Sequence, residues 1–177
     1  RPRDHQEARC GGGQGAQVTL ETPPIVPTDI VGQTAATRTR GPMRIVDLQQ
    51  QSKEEWRSGV MTRMKASAAN NATQLCLFEQ WCEPGHGAPT HLHAVEEVLC
   101  VREGTADVWI DDEHVTLTNG QLVIVPAGRK HGLANAGKAV LHIESTLAAP
   151  VFEAAYDDKR ETPRRWRRIP PTPPRTA

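Results

Sequence analysis

Eight short runs with the composition of strands, each closed by turn-forming residues, fill the stretch 74–146. They span 74–82, 91–93, 95–103, 105–110, 114–118, 121–126, 131–135 and 140–146. The punctuation between them is Glu83, Pro84 and Gly85; Gly104; Asp111 and Asp112; Asn119 and Gly120; Pro126, Ala127 and Gly128; and Gly137. Asn-Gly between two alternating runs is a strong local hairpin signal. Short strands at this spacing predict an all-β sandwich or barrel. No periodic helix longer than about three turns interrupts them, which argues against an α/β parallel sheet.

The flanks read differently. Residues 1–42 hold Gly11, Gly12, Gly13 and Gly15, several prolines and no periodicity, so a disordered or loosely packed extension is expected. The glycine cluster lacks the Gly-Lys-Ser/Thr that a phosphate loop needs. From Met43 the texture changes. Residues 43–48 read as a short strand, and residues 52–60 as a capped helical turn with Ser52 at its start and Glu55 three residues on. Trp56 is placed to seal the bottom of the core. Residues 151–161 predict one helix, and 159–177 a basic Pro/Arg-rich tail without fixed structure. The domain boundaries read from sequence are therefore 1–42, a single barrel at 43–158, and 159–177.

Basic and acidic residues balance at 21 each over the 177 residues, but unevenly. Residues 43–158 carry nine basic and sixteen acidic side chains, residues 159–177 seven and one. This describes an acidic body with a short basic tail, and nucleic acid is not an expected partner. No apolar run approaches the ~20 residues of a membrane span. The start is hydrophilic, without signal-peptide character, and a cytoplasmic location is expected. Cys10, Cys76, Cys82 and Cys100 form no CxxC pair and read as free thiols.

Side chains alternate faces along a strand, so His91 and His93 point the same way, and Glu97 shares their face if the strand runs on. Glu96 has the opposite parity and points out. Leu99 and Val101 continue the inner face as an apolar wall, joined after the Gly104 turn by Ala106, Val108 and Ile110. Unpaired charge among such residues would cost several kcal/mol. A divalent cation removes that objection. Imidazoles with a carboxylate suit Fe, Mn, Ni, Co or Zn better than Ca or Mg. His131 and His86 are candidates to complete the set, while His5, His114 and His142 read as ordinary polar residues.

The spacing carries a resemblance. Gly85, five residues, His91, one residue, His93, three residues, Glu97, six residues and Gly104 match the first signature of the cupin superfamily at every defined position. Gly120, five residues, Pro126, one residue, Gly128, two residues, His131, three residues and Asn135 match the second. Fifteen residues separate the two, as in small single-domain cupins. The resemblance implies a jelly-roll β-barrel (a double-stranded β-helix) with one divalent metal held by His91, His93, Glu97 and His131.

Three nitrogens and one oxygen leave about two positions open on an octahedral ion, which is the mark of a reactive rather than a closed site. The metal would act as Lewis acid and template, or activate dioxygen if it is iron. Glu97 is also a candidate base, and His86 a candidate neighbour of the ligands. Gly85, Gly104, Gly120 and Gly128 are expected to permit turns, Pro126 to stiffen the approach to His131, and Asn135 to satisfy turn backbone.

The predicted pocket wall, Leu99, Val101, Ala106 and Val108, holds no Arg, Lys or Tyr, and Tyr156 falls beyond the predicted barrel strands. That wall favours a small dioxygenase-like enzyme acting on a small organic molecule, ahead of an isomerase or lyase. A non-catalytic ligand-binding or regulatory module is the alternative. The resemblance also implies a homodimer as one association, and the outward parity of Trp109 calls for a cover from a second sheet, the N-terminal strand or a partner subunit.

Overall fold

The computed structural model describes residues 43–157 and 164–168. The calls on residues 1–42, including Cys10 and His5, lie outside them. Thirteen strands follow one another: β1 (Glu54–Arg57), β2 (Val60–Ala66), β3 (Cys76–Cys82), β4 (Gly87–Leu92), β5 (Glu97–Glu103), β6 (Thr105–Ile110), β7 (Glu113–Thr118), β8 (Leu122–Val125), β9 (His131–Asn135), β10 (Leu141–Leu147), β11 (Phe152–Glu153), β12 (Ala155–Tyr156) and β13 (Arg164–Arg165). One 3₁₀ turn, Ala68–Asn70, stands between β2 and β3. No helix among the described residues is long and apolar enough to cross a membrane.

The strands form a six-stranded sheet, β1-β2-β3-β10-β5-β8, and a five-stranded sheet, β12-β4-β9-β6-β7, with β11 and β13 as a separate ribbon. Every pairing is antiparallel. The architecture is all-β, as the strand pattern predicts, and is the double-stranded β-helix that the resemblance implies.

Alternation explains how the sheets meet. Along β10, Leu141, Ile143, Ser145 and Leu147 are buried while the residues between them are not. Val60, Cys82, Leu99, Val101 and Ile143 from one sheet pack against Ala88, Ala106, Val108, Leu117 and Leu133 from the other. Each fully buried aliphatic side chain contributes about 1.5–3 kcal/mol. A second cluster, Cys76, Phe78, Leu147, Phe152 and Ala154, sits with Trp56, Val95, Tyr156 and Trp166 packed against it.

Four sequence expectations are corrected. Residues 43–47 form no strand. Residues 54–57 are strand β1, not a helical turn, because they pair with β2 through Glu54–Thr62 and Glu55–Met61. The helix expected at 151–161 is replaced at 152–156 by β11 and β12, which add to a ribbon and to the edge of β4. Arg164–Arg168, placed by sequence in an unpaired tail, instead begin with β13, and Trp166 stacks into the second cluster. In the last three cases local propensity lost to an edge in need of a partner.

Trp109 has its cover within the chain. Its indole N–H donates to Thr90 Oγ1 at 3.0 Å, and its ring lies over Gly132, where a Cβ would stand 2.4 Å from it. The residue is half-buried, so its parity no longer calls for a partner subunit.

Candidate metal centre

Three strand ends meet at the cluster. β4 delivers His91, and extended chain past its last residue carries His93 to the same side. β5 opens with Glu97 and β9 with His131. His91 and His131 are cross-strand partners, and Glu97 faces Leu147 on β10 and Val125 on β8. All four side chains are buried, each residue 5% exposed or less, whereas Glu96 is exposed as its parity predicts. One nitrogen or oxygen from each lies within 4.8 Å of all the others.

The histidines are oriented by backbone. Nδ1 of His91 lies 2.7 Å from the Pro89 carbonyl oxygen, Nδ1 of His93 2.5 Å from that of Glu153, and Nδ1 of His131 2.9 Å from that of Arg129. A carbonyl only accepts, so each Nδ1 carries the hydrogen and each Nε2 faces inward. Carbonyls beyond the ligands fix ring and tautomer in this way at many metal sites. The Gly128 N–H donates to the His93 carbonyl at 2.8 Å, tying the turn before His131 to the other histidines.

Glu97 accepts from His131 Nε2 at 2.8 Å and from the Ser145 hydroxyl. Burial alone would raise its pKa, but His131 and His93 hold it far below the usual carboxylate range. Burial pushes His91 down to about 3, with the nearby His131 adding to the effect, so that ring is neutral. Burial would lower His131 too, yet the hydrogen bond to Glu97 and its charge raise it. His93 Nε2 is 3.4 Å from Glu97 and buried, with no hydrogen-bond partner. Such an orphan in a folded interior calls for an explanation. The donor set fits a divalent cation: the ion would replace the His131 proton against Glu97 and give His93 Nε2 its partner. Burial, and then the Glu97 charge, push the Cys76 thiol up to about 12, so it stays protonated. Cys76 and Cys82 are buried and Cys100 half-buried, all free.

The cavity at the cluster is lined by His91, Glu97, His131 and Leu99, and also by Trp56, Arg57, Gln80, Ser145, Phe152 and Tyr156. Here the sequence reading needs correction. Val101, Ala106 and Val108 are buried, as parity requires, but they belong to the core rather than to this wall. Arg57 and Tyr156 do line the wall, which sequence reasoning had left without Arg or Tyr. His86 sits against Gly59 and outside the ligand cluster. Ser145 was legible in principle, as the one polar residue on the inward parity of β10. Arg57 was hidden by the helical reading of its segment, and Tyr156 by that of its own.

The remaining motif residues lie at turns. Gly85, Gly104, Gly120 and Gly128 all have positive φ. Asn135 donates to the carbonyls of Cys82 and Ala139 and accepts from the Gly137 N–H. The Pro126 carbonyl accepts from Arg129 N–H, closing the turn before His131.

Residues 79–147 match the family model described as a cupin domain. Over these residues the chain is a cupin domain. Among relatives of this cupin, a mannose-1-phosphate guanylyltransferase of Sinorhizobium fredii is 40% identical over 53 residues, 30% of this chain and 10% of that protein. The chain thus spans about a tenth of the length of the curated relative it matches. Among solved structures, an RmlC-like cupin from Shewanella frigidimarina superposes with a TM-score of 0.53 at 22% identity, covering 66% of this chain and 96% of that one. The polyketide cyclase RemF from Streptomyces resistomycificus gives 0.58 at 19% identity, covering 69% and 90%. At these identities the likeness to this cupin is one of fold.

Proposed function

We propose that this cupin binds one divalent transition-metal ion through His91, His93, Glu97 and His131 and is a metal-dependent enzyme acting on a small organic molecule. The observation that carries the reading is the buried, unpartnered Nε2 of His93 beside three other inward-facing donors. The ion would supply Lewis-acid chemistry, polarising an oxygen of the substrate at positions the protein leaves open. The protein's own groups do the rest. The three backbone carbonyls hold each Nε2 inward, Ser145 holds Glu97, and Trp56, Phe152 and Leu99 give the cavity its apolar lining.

The sequence-level preference for an oxygenase rested on a wall without arginine or tyrosine. Arg57 and Tyr156 in that wall remove its basis, and isomerase or lyase chemistry stands level with it.

Elemental analysis of protein purified without a histidine tag tests the metal reading. Near one equivalent of Mn, Fe, Co, Ni or Zn per chain is expected, with a melting temperature that EDTA lowers. His93→Ala should abolish loading. Metal-free protein whose melting temperature ignores both EDTA and added divalent cations would overturn it. Oxygen uptake on adding a panel of β-dicarbonyls and catechols separates an oxygenase from the other classes.

A further inference from the structure

Trp56 and Arg57 are consecutive on β1, yet both line the cavity. A regular strand would send one of them outward. The β1–β2 register shifts between Glu55 and Arg57, and a bulge of this kind re-aims a side chain. The turned guanidinium donates to the Gly87 carbonyl at 3.2 Å and to the Tyr156 hydroxyl at 3.0 Å. Both partners are uncharged, so neither compensates the cation. Tyr156 is anchored in turn, paired with His91 across β12 and β4, its ring 5.2 Å from the imidazole. A hydroxyl that accepts from Arg57 keeps its own hydrogen for donation. An arginine, a phenol and the inward donors therefore share one cavity.

The charges point the same way. Three neutral imidazoles and one carboxylate leave a divalent ion with a single net positive charge, and Arg57 adds another. The body around this cavity is acidic, with sixteen acidic and nine basic side chains over 43–158. A positive cavity would favour small anions there, against the negative charge of the body around it. The planar fork of arginine matches a carboxylate through two parallel hydrogen bonds.

We propose that Arg57 and Tyr156 form a carboxylate-binding subsite, and that the substrate is a small organic acid spanning from this pair to the metal. This rests on the metal reading above. The bulge in β1 positions Arg57, and His91 links the subsite to the ion through Tyr156.

The test uses the full chain loaded with cobalt(II), whose visible absorption reports ligands entering its coordination shell. Malonate is the anionic probe, and acetohydroxamic acid, neutral at pH 7, is the control chelator. Arg57→Gln should weaken malonate at least about tenfold, the loss of a charge-assisted pair, and leave acetohydroxamic acid within about twofold. Arg57→Lys should fall between, and Tyr156→Phe should weaken malonate alone. Cobalt stoichiometry should stay at the wild-type value in all three. Equal malonate affinity in wild type and Arg57→Gln, or a parallel loss of both probes in Arg57→Gln and Arg57→Lys, overturns the subsite. Wild-type protein that loads cobalt but binds no malonate overturns it too. Wild-type protein that takes up no cobalt overturns the metal reading, and this one with it.

Discussion

The Nδ1 of His93 lies 2.5 Å from the backbone carbonyl of Glu153, sixty residues further along the chain. That carbonyl belongs to β11, whose only strand partner among the described residues is β13. A candidate ligand on β4's extension is thus aimed by a two-residue ribbon near the end of the chain. The ribbon is held by packing. The ring centroid of Trp166 lies 5.1 Å from that of Trp56 and 5.3 Å from that of Phe78. The Arg164–Glu153 ion pair beside it is exposed and contributes little.

Trp166→Ala should therefore act at a distance. Loss of a half-buried indole from an aromatic cluster costs about 2 kcal/mol, less than for a fully buried one. With β11 loosened, His93 loses its orienting acceptor, and metal affinity should fall by about tenfold, as other outer partners of ligands do. Urea midpoints and chelator competition measure the two effects. An unchanged affinity in the destabilised variant would show that β11 keeps its place without the strap.

Ser145 gives a cleaner case. Its hydroxyl donates to Glu97 from a position that is 3% exposed. Ser145→Ala removes one donor and little volume. Metal affinity should drop by about tenfold while the melting temperature of the metal-free protein shifts by only a few degrees. If affinity holds and stability falls sharply, the serine serves the core and not the carboxylate.

The ligand side chains were legible because period-two alternation and motif spacing act locally. His91, His93 and Glu97 share a face by parity alone, and the turn at Pro126 and Gly128 starts the strand that brings in His131. Leu99 was legible in the wall and Ser145 in principle, but its other polar residues were not, for a physical reason. Arg57 reaches the cavity through a bulge, which breaks the parity rule that placed everything else. Tyr156 arrives because β4 has a free edge, and Trp166 because Trp56 and Phe78 leave apolar surface uncovered. Each depends on a partner distant in sequence. The same cause misled the readings of residues 52–60 and 151–161, where a local capping pattern and a locally helical composition outweighed an unseen strand edge.

A pH dependence follows from Glu79. Burial alone would raise its pKa, but hydrogen bonds from Arg63 and His142 bring it below the usual carboxylate value. The unfolded chain then binds the proton more tightly, so stability rises with pH between the folded and unfolded pKa values. The contribution is complete above about pH 5 and is lost as pH falls through the folded value. Glu79→Gln should thus be less stable than wild type at pH 7, with the gap narrowing toward pH 3. Urea midpoints at the two pH values give the answer, and a gap of constant size would mean that Glu79 contributes through shape rather than charge.

Two neighbouring glycines should respond in opposite order to the one their motif status suggests. Gly85, a motif position, has φ +77 and open space where a Cβ would stand. Alanine there should cost about 1 kcal/mol, the ordinary penalty of a left-handed backbone. Gly87, which no motif marks, lies where β4 runs close against the backbone of β9. A Cβ on it would stand 2.0 Å from the Leu133 carbonyl oxygen and 2.9 Å from the Ala134 Cα, both backbone. Neither atom can yield without parting the two strands that carry His91 and His131. Gly87→Ala should cost about 3 kcal/mol or more and weaken metal binding as well. Melting curves of the two variants decide it. If Gly85→Ala proves the more damaging, strand β9 gives way more readily than its pairing with both β4 and β6 implies.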